Sequence, residues 1–484
     1  MSAPDREANS TKTEEFKKSS QYLAAILATV GSISAGTYLS WTSPALPLYG
    51  KNGALELTDK DKSWVASLLP FGALIGALPA GTIADKLGRK IGVLLIAVPL
   101  LLCWFSIGFA PNTFCLFGSR FLAGAAIGAT SVIVPLYVSE ISHPAIRGSL
   151  GSLFQLQITI GVCLGYLTGI IEDLRYIALA SAVVPAIVLA SFPFMPETPV
   201  WLMRQNRRDD ATKVMQWLRG EHYAVREELE ALDRAQTSQG LEKAKITDLK
   251  NHKKAVLISL GLMVFQQMSG INAIVFFASQ IVEQEGSAIS SNVCSVILGV
   301  AQVIATYFSG LLVDRAGRKI LLITSSSVMA LCLFVVAGYI KFKDPSATGT
   351  PWIPLISLTI YMTMFATGFG PIPWIMVSEL CPTNVVGIIS SVAAALNWLL
   401  AFTVTNIFTD MTQTLGVPLS FCLFAVIGAT GSIFVATVIP ETKGKTKEEI
   451  QIALHGLPSA PPVKLEKEYV VRHTNDGVVI ETAT

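Results

Sequence analysis

Residues 81–90 read Gly81-Thr-Ile-Ala-Asp85-Lys-Leu-Gly88-Arg89-Lys90, and residues 310–319 read Gly310-Leu-Leu-Val-Asp314-Arg-Ala-Gly317-Arg318-Lys319. Both copies fit the pattern G-x-x-x-D-(K/R)-x-G-R-K, and they start 229 positions apart (310 minus 81). Each copy lies between two long apolar segments. One charged loop of this kind is common between two membrane helices, but a duplicate in the matching place is not. The pattern therefore predicts a chain built from two copies of one membrane unit.

The composition is typical of an integral membrane protein. Of the 484 residues, 51% are hydrophobic and only 14% are charged, whereas soluble domains carry about 25% charged residues. The net charge of +2 gives no indication of nucleic-acid binding. The seven cysteines are scattered in or beside apolar segments, so we expect neither a disulfide framework nor a metal site. No motif for a cofactor is present, and none is expected.

The apolar segments reach the ~20 residues that a helix needs to cross a bilayer. They predict an all-α fold of twelve spans in two six-helix halves, at residues 21–43, 63–84, 91–110, 113–138, 149–170, 175–194, 255–278, 289–312, 320–340, 352–377, 387–408 and 418–439. The predicted domains are an N-terminal tail (1–20), a first half (21–195), a linker with amphipathic helices (196–254), a second half (255–440) and a C-terminal tail (441–484).

Lysine and arginine predict the orientation. With the N-terminus inside, outer loops hold six of the 36 basic residues, Arg120 lies within a span, and all the others fall in the tails, the linker and the inner loops. This bias predicts that both termini are cytoplasmic. We expect a multi-pass protein of the cell membrane, surrounded by lipid, with no obligate protein partner evident.

Two further anchors repeat at nearly the same offset. Pro-Glu-Thr occurs at 196–198 and again at 440–442, and Glu140 after span 4 matches Glu379 after span 10. Six spans per half, with the halves in parallel, is the architecture expected of major facilitator transporters.

The residues resemble the sugar porter branch of the major facilitator superfamily over roughly 21–450. The resemblance rests on the two G-R-K loops and on the motifs Pro135-x-Tyr-x-x-Glu140, Gln266-Gln267-x-Ser-Gly-Ile-Asn272, Gly370-Pro-Ile-Pro-Trp374 and Asn397-Trp398. The end of span 1, Trp41-Thr-Ser-Pro-Ala-Leu-Pro47, is similar to insect facilitated trehalose transporters and to the related intracellular-type mammalian glucose transporters. The resemblance implies transport of a sugar and no enzymatic reaction.

A sugar site inside a bilayer needs neutral donors and acceptors beside an aromatic wall, and amide side chains supply both. The candidates are Gln155, Gln266, Gln267, Asn272, Gln302, Trp374 and Asn397. Gln266, Gln267 and Asn272 cannot face one point on a straight helix, because successive residues are rotated by roughly 100°. A break near Ser269-Gly270 would bring them together. The alternative is that these amides only hold neighbouring helices together.

Span 10 carries two prolines, Pro371 and Pro373, next to Trp374. Each proline removes a backbone donor, so a regular helix is not expected there, and a broken helix beside an aromatic side chain suits a gate. The alternative for Trp374 is an interfacial tryptophan. Tyrosines that are usual in span 7 of the family are Phe276 and Phe277 here.

Proton coupling needs an ionisable group inside the membrane, and span 1, where the resembled symporters carry an acid, has no Asp or Glu. We therefore predict a facilitator. A symporter with another acid remains an alternative, as does a non-transporting sugar sensor, although the C-terminal tail reads as short and featureless. Arg120 either braces helices near the outer side or extends to the interface.

The inner ends of the spans carry nine charged residues that we interpret as a cytoplasmic gate: Asp85, Arg89, Glu140, Arg147, Glu197, Asp314, Arg318, Glu379 and Glu441. Ion pairs between halves that close inside would bias one state over another. Two positions where the family usually has arginine are Val200 and Val386. Our hypothesis is that the outward-facing state of this chain is less stable than is common in the family. Val200→Arg and Val386→Arg would then shift the balance outward, as measured by cysteine labelling from the inside and from the outside.

Overall fold

The computed structural model describes residues 16–50, 55–220, 223, 225–239, 252–276, 291–342, 352–381, 385–445, 449–450, 452, 454, 469–474 and 477–482. Twelve helical segments in this part of the chain are long and apolar enough to cross a membrane. This confirms the prediction of twelve spans in an all-α membrane fold. Spans 1 to 12 cover Ser19–Leu48, Asp59–Leu87, Arg89–Gly108, Thr113–Ile141, Pro144–Ile171, Leu174–Phe194, Lys253–Phe276, Asn292–Gly310, Arg318–Phe342, Trp352–Leu380, Val386–Leu415 and Val417–Val438.

Glycines set the closest helix contact in the first half. Spans 2 and 4 approach through Gly72 and Gly124, where an added Cβ would lie 2.1 Å from the carbonyl oxygens of Phe121 and Leu69. Association inside a bilayer depends on such close packing, because lipid tails are as apolar as leucine and provide no hydrophobic drive between helices. The apolar, glycine-containing sequence of these spans therefore specifies both membrane insertion and tight pairing.

The described part of the linker between spans 6 and 7 contains three short helices, Pro199–Arg204, Arg208–Arg219 and Val225–Gln239. They share a small apolar core of their own. The buried Arg219 attaches this linker to the first half, because its Nη1 donates to the carbonyl of Ile141 at 2.8 Å while its Nη2 pairs with Glu228 at 2.8 Å. Gln21 adds a bond from Nε2 to the carbonyl of Leu218 at 3.1 Å. The linker is thus docked on the end of the first half that carries the Gly81–Lys90 loop.

The C-terminal tail contains a hairpin of strands β1 (Tyr469–Thr474) and β2 (Gly477–Thr482), paired antiparallel with Tyr469 opposite Thr482. Earlier in the tail, Ile450 and Leu454 are buried in the main apolar core. The expectation of a featureless tail is therefore wrong. Each strand contains consecutive β-branched residues, Val470-Val471 in β1 and Val478-Val479-Ile480 in β2, which favour extended backbone.

The end of the bundle that carries the linker and both G-R-K loops is called the linker face below, and the other end is called the opposite face. In the described part of the chain, hydrogen bonds between the two halves lie toward the opposite face. In these bonds Thr42 donates to the Phe276 carbonyl, Tyr166 to the Val275 carbonyl, Asn292 to the Gly169 carbonyl, Asn406 to the Ser67 hydroxyl and Gln413 to the Asp59 carboxylate. Aromatic contacts of Phe402 with Trp64 and Phe71 lie in the same region. The halves are therefore closed against each other at the opposite face.

Candidate functional site

A network of amide side chains connects the middle of spans 7, 10 and 11. The first helix of span 7 ends at Met268, Gly270 adopts a positive φ of 89°, and helix resumes at residue 271. Glycine adopts this left-handed conformation without a steric penalty. The break lets Asn272 donate to Oε1 of Gln267, five residues earlier. Residues that a straight helix would direct apart thus meet on one side.

Asn397 of span 11 is the centre of the network. Its Nδ2 donates to Oε1 of Gln266 at 2.6 Å, and its Oδ1 accepts from Nε2 of Gln267 at 2.8 Å. Asn397 and Gln266 are each 3% exposed and Gln267 is 8% exposed. Buried amides of this kind are expensive unless they are hydrogen-bonded, so the three side chains stabilise one another. The arrangement provides donors and acceptors without any ionisable group.

Span 10 is broken beside this network by its two prolines. The helix ends at Thr367 and a second helix runs from Ile372 to Leu380. Because Pro371 and Pro373 have no N–H, the carbonyls of Thr367 and Phe369 lose their regular helical donors. Ser309 donates to the Thr367 carbonyl at 3.2 Å, and Nε2 of Gln266 donates to the Phe369 carbonyl at 2.7 Å. The Gly370 carbonyl accepts from the same Nε2 at 2.8 Å. The amide network is therefore fixed to the broken backbone of span 10.

The remaining predicted site residues lie outside this network. Gln155 is half-buried in span 5, and the Oε1 of the buried Gln302 has no hydrogen-bond partner within the described part of the chain. Trp374 is 40% exposed and sits one turn after Gly370. Phe276 is fully buried, whereas Phe277 lies outside the described residues. Sequence reasoning missed Ser309, whose hydroxyl donates to the Thr367 carbonyl at the break in span 10.

In the first half, Arg89 contacts acidic side chains from three segments of the chain at the linker face. Its side chain is 1% exposed, and its Nη2 lies 2.9 Å from both Oε1 of Glu140 and Oδ1 of Asp85. Glu197 accepts the backbone N–H groups of Arg89 and Lys90 at 3.1 and 3.0 Å, which caps the start of span 3. A carboxylate at a helix N-terminus is also favoured by the helix dipole.

The second half repeats this geometry. Nη2 of Arg318 lies 3.1 Å from Oε1 of Glu379, and Glu441 accepts the backbone N–H groups of Arg318 and Lys319 at 3.0 Å each. The pair is more exposed than its counterpart, with side-chain exposures of 15% and 25% against 1% and 8% for Arg89 and Glu140. The side chain of Asp314 lies outside the described residues.

These ion pairs lie within each half. Arg147, also at the linker face, donates to the carbonyl of Ser142 at 3.4 Å, likewise within the first half. The structure, which is closed at the opposite face, therefore forms each of these ion pairs from residues of a single half.

The two Pro-Glu-Thr acids differ in their electrostatics. Burial raises the pKa of Glu197 above its ordinary value, although backbone N–H groups of Thr198, Lys90 and Arg89 favour the charged form. At Glu441 partial burial acts in the same direction, but N–H donation by Lys443, Arg318, Lys319 and Thr442 outweighs it and lowers the pKa. The carboxyl of Glu197 therefore binds a proton at higher pH than that of Glu441.

A cation one helical turn after Val200 lies close to Asp85. Nη1 of Arg204 is 3.0 Å from Oδ1 of Asp85, and Nε1 of Trp201 donates to the Asp85 carbonyl at 2.9 Å. The linker thus supplies a cation at 204 to the first-half cluster. Val386, at the start of span 11, packs against the apolar core instead.

Arg120 braces helices in the interior of the first half. It is 0% exposed, and it donates from Nε to the Val65 carbonyl and from Nη1 to the Tyr38 carbonyl, each at 2.9 Å. The alternative that this side chain extends to the membrane interface is therefore wrong.

A family model described as "Sugar (and other) transporter" matches residues 4–454. The chain belongs to this family. Among curated proteins, this chain is 38% identical over 444 residues to the facilitated trehalose transporter Tret1 of Drosophila erecta and to trehalose transporter 1 of Drosophila melanogaster. In both cases 90% of this chain is covered, and the chain spans about half the length of the relative, 52%.

Solved structures establish the same fold. The inward open conformation of the xylose transporter XylE from E. coli matches with a TM-score of 0.76 at 21% identity, covering 90% of this chain and 99% of that one. The proton:xylose symporter XylE bound to 6-bromo-6-deoxy-D-glucose matches with a TM-score of 0.74 at 21% identity, covering 90% and 100%. This chain therefore has the major facilitator fold.

Proposed function

We propose that this protein is a facilitator that moves a sugar, trehalose or glucose, down its concentration gradient by alternating access. The observation that carries the proposal is the amide network of Gln266, Gln267, Asn272 and Asn397, held between the breaks of spans 7 and 10. It consists of neutral donors and acceptors, which suit sugar hydroxyls. The names of the relatives, trehalose transporters at 38% identity, support the choice of sugar.

A bound sugar replaces bonds that the amides make with each other. When a sugar binds, bonds from its adjacent hydroxyls replace the 2.6 Å bond between Nδ2 of Asn397 and Oε1 of Gln266. Because the amides lose one bond as they gain others, the affinity for the sugar stays moderate. Trp374, next to the broken backbone, offers a ring face to the sugar. Gln155 and the unpartnered Oε1 of Gln302 extend the site toward the spans that join the two halves.

The positive-inside bias supports an orientation in which the linker face lies in the cytoplasm and the protein lies in the cell membrane. The present conformation, closed at the opposite face, is then the inward-open state, and the Arg89 and Arg318 clusters stiffen each half before the halves meet at the linker face. The absence of Asp and Glu from span 1 favours a facilitator over a proton-coupled carrier.

Uptake into proteoliposomes tests the proposal, with labelled trehalose, glucose, fructose and inositol, each with and without a pH gradient. We expect equilibration of one sugar and no accumulation. Failure to move any of the four would refute transport, and accumulation driven by the pH gradient would establish a symporter. A protein that binds a sugar without moving it would be a sensor.

The site itself is tested by Asn397→Ala, which removes both central bonds. The loss of about 1–2 kcal/mol of hydrogen bonding raises the KM for the sugar roughly tenfold. The matched control is Thr403→Ala in the same span, because Thr403 is only half-buried and its hydroxyl donates to the Leu399 carbonyl of its own helix. An unchanged KM in Asn397→Ala would place the sugar elsewhere and leave the amides as helix contacts.

A further inference from the structure

Three buried nitrogen donors in the first half have no acceptor among the described residues: Nη2 of Arg120 and the indole nitrogens of Trp41 and Trp104. All three side chains are 0% exposed. The guanidinium carbon of Arg120 lies 5.2 Å from the centroid of the Trp41 ring, and the rings of Trp41 and Trp104 are 6.4 Å apart. The three side chains that carry these donors therefore form one enclosed cluster between spans 1, 3 and 4.

The charge of Arg120 is not balanced within this cluster. The other guanidinium bonds go to the neutral carbonyls of Val65 and Tyr38. The titratable side chains near it are Tyr38, Tyr49 and Cys103, which are neutral in their ordinary forms at physiological pH. A guanidinium stays protonated in proteins, and burial of a charge without a partner is strongly unfavourable. The face of the Trp41 ring offsets only part of this cost.

We propose that Arg120, Trp41 and Trp104 bind a small monovalent anion, for which chloride is the abundant physiological candidate. A set made only of donors suits a ligand that only accepts, and a single negative charge neutralises the single guanidinium. A water molecule would accept hydrogen bonds from the donors but would leave the positive charge of Arg120 unbalanced. Complete burial excludes large organic anions, and a divalent anion would leave an unbalanced negative charge in place of the positive one.

The first test is the thermal stability of the purified full-length protein in chloride, bromide or gluconate at one ionic strength. Chloride and bromide raise the Tm in a saturable manner, and gluconate, which is too large for the site, does not. Arg120→Met abolishes the anion-dependent increase. Trp104→Phe keeps a ring in place of the indole and removes one N–H, so the midpoint of the chloride titration rises about tenfold.

Trp398→Phe is the matched control, because the indole nitrogen of Trp398 is also buried without a partner but lies in span 11 of the other half. Its chloride midpoint equals that of the unmodified protein. Anomalous diffraction from crystals grown in bromide gives a readout that does not depend on any variant, with a peak expected beside Nη2 of Arg120. Equal Tm values in the three salts would overturn the proposal. An unchanged chloride midpoint in Trp104→Phe would do the same, as would electron density beside Nη2 of Arg120 without an anomalous signal.

Discussion

Closure at the opposite face depends on a glycine where spans 5 and 8 cross. A Cβ added to Gly299 would lie 2.9 Å from Cα of Cys163 and 3.1 Å from Cδ2 of Tyr166. The first of these atoms is backbone, so it cannot move aside as a side chain would, and the helices must separate. Gly299→Ala therefore penalises the closed arrangement only, because the two spans part when the opposite face opens.

The size of the effect follows from this geometry. Overpacking a well-packed contact costs about 1–3 kcal/mol, and a bias of that size changes the ratio of two conformations roughly 5- to 150-fold. Two bonds flank the contact, from Tyr166 to the Val275 carbonyl at 2.9 Å and from Asn292 to the Gly169 carbonyl at 3.0 Å. They resist the separation with about 1 kcal/mol each. We expect a clear shift toward molecules that are open at the opposite face.

Electron–electron double resonance between spin labels measures this shift. In a background without the native cysteines, labels at Phe114→Cys and Phe342→Cys report the opposite face, since both positions are strongly exposed, at 84% and 86%, and lie one in each half. Gly299→Ala increases the population at the longer distance. Gly338→Ala in span 9 is the control, because a Cβ there would meet nothing within 4 Å. Identical distance distributions in the two variants would refute the reasoning.

Two further predictions concern the charge clusters at the linker face. Glu140→Gln leaves the buried Arg89 without its main partner and lowers the free energy of unfolding by about 3 kcal/mol. Glu379→Gln, in the more exposed pair of the second half, lowers it by about 1 kcal/mol or less. Denaturant titrations that gave equal losses for the two variants would contradict the burial argument. The Tm difference between the unmodified protein and Glu441→Gln falls as the pH drops through the lowered pKa of Glu441, because that carboxylate stabilises the fold only while it is charged. The Tm difference between the unmodified protein and Glu197→Gln instead rises as the pH drops, because the pKa of Glu197 is raised and its protonation favours the folded state. Parallel pH profiles for the two variants would show that the acids are equivalent.

The sequence alone determined the number of spans, the internal repeat and the positions of the breaks. These properties are local. Hydropathy over about 20 residues decides whether a helix crosses the membrane, and Pro371, Pro373 and Gly270 act on the backbone at their own positions. For the same reason, the meeting of Gln267 with Asn272 was predictable from spacing, since the break between them lies in the same segment.

Only the tertiary structure decided which residues meet across long separations. Asn397 was a candidate in the sequence, but its bonds to two glutamines about 130 positions earlier depend on how spans 7 and 11 pack. In the same way, Arg204 reaches Asp85 because the linker folds back onto the first half, and Arg120 is enclosed by three neighbouring spans. Which face of the molecule is closed is likewise a tertiary property, because alternative packings of the same helices differ by only a few kcal/mol.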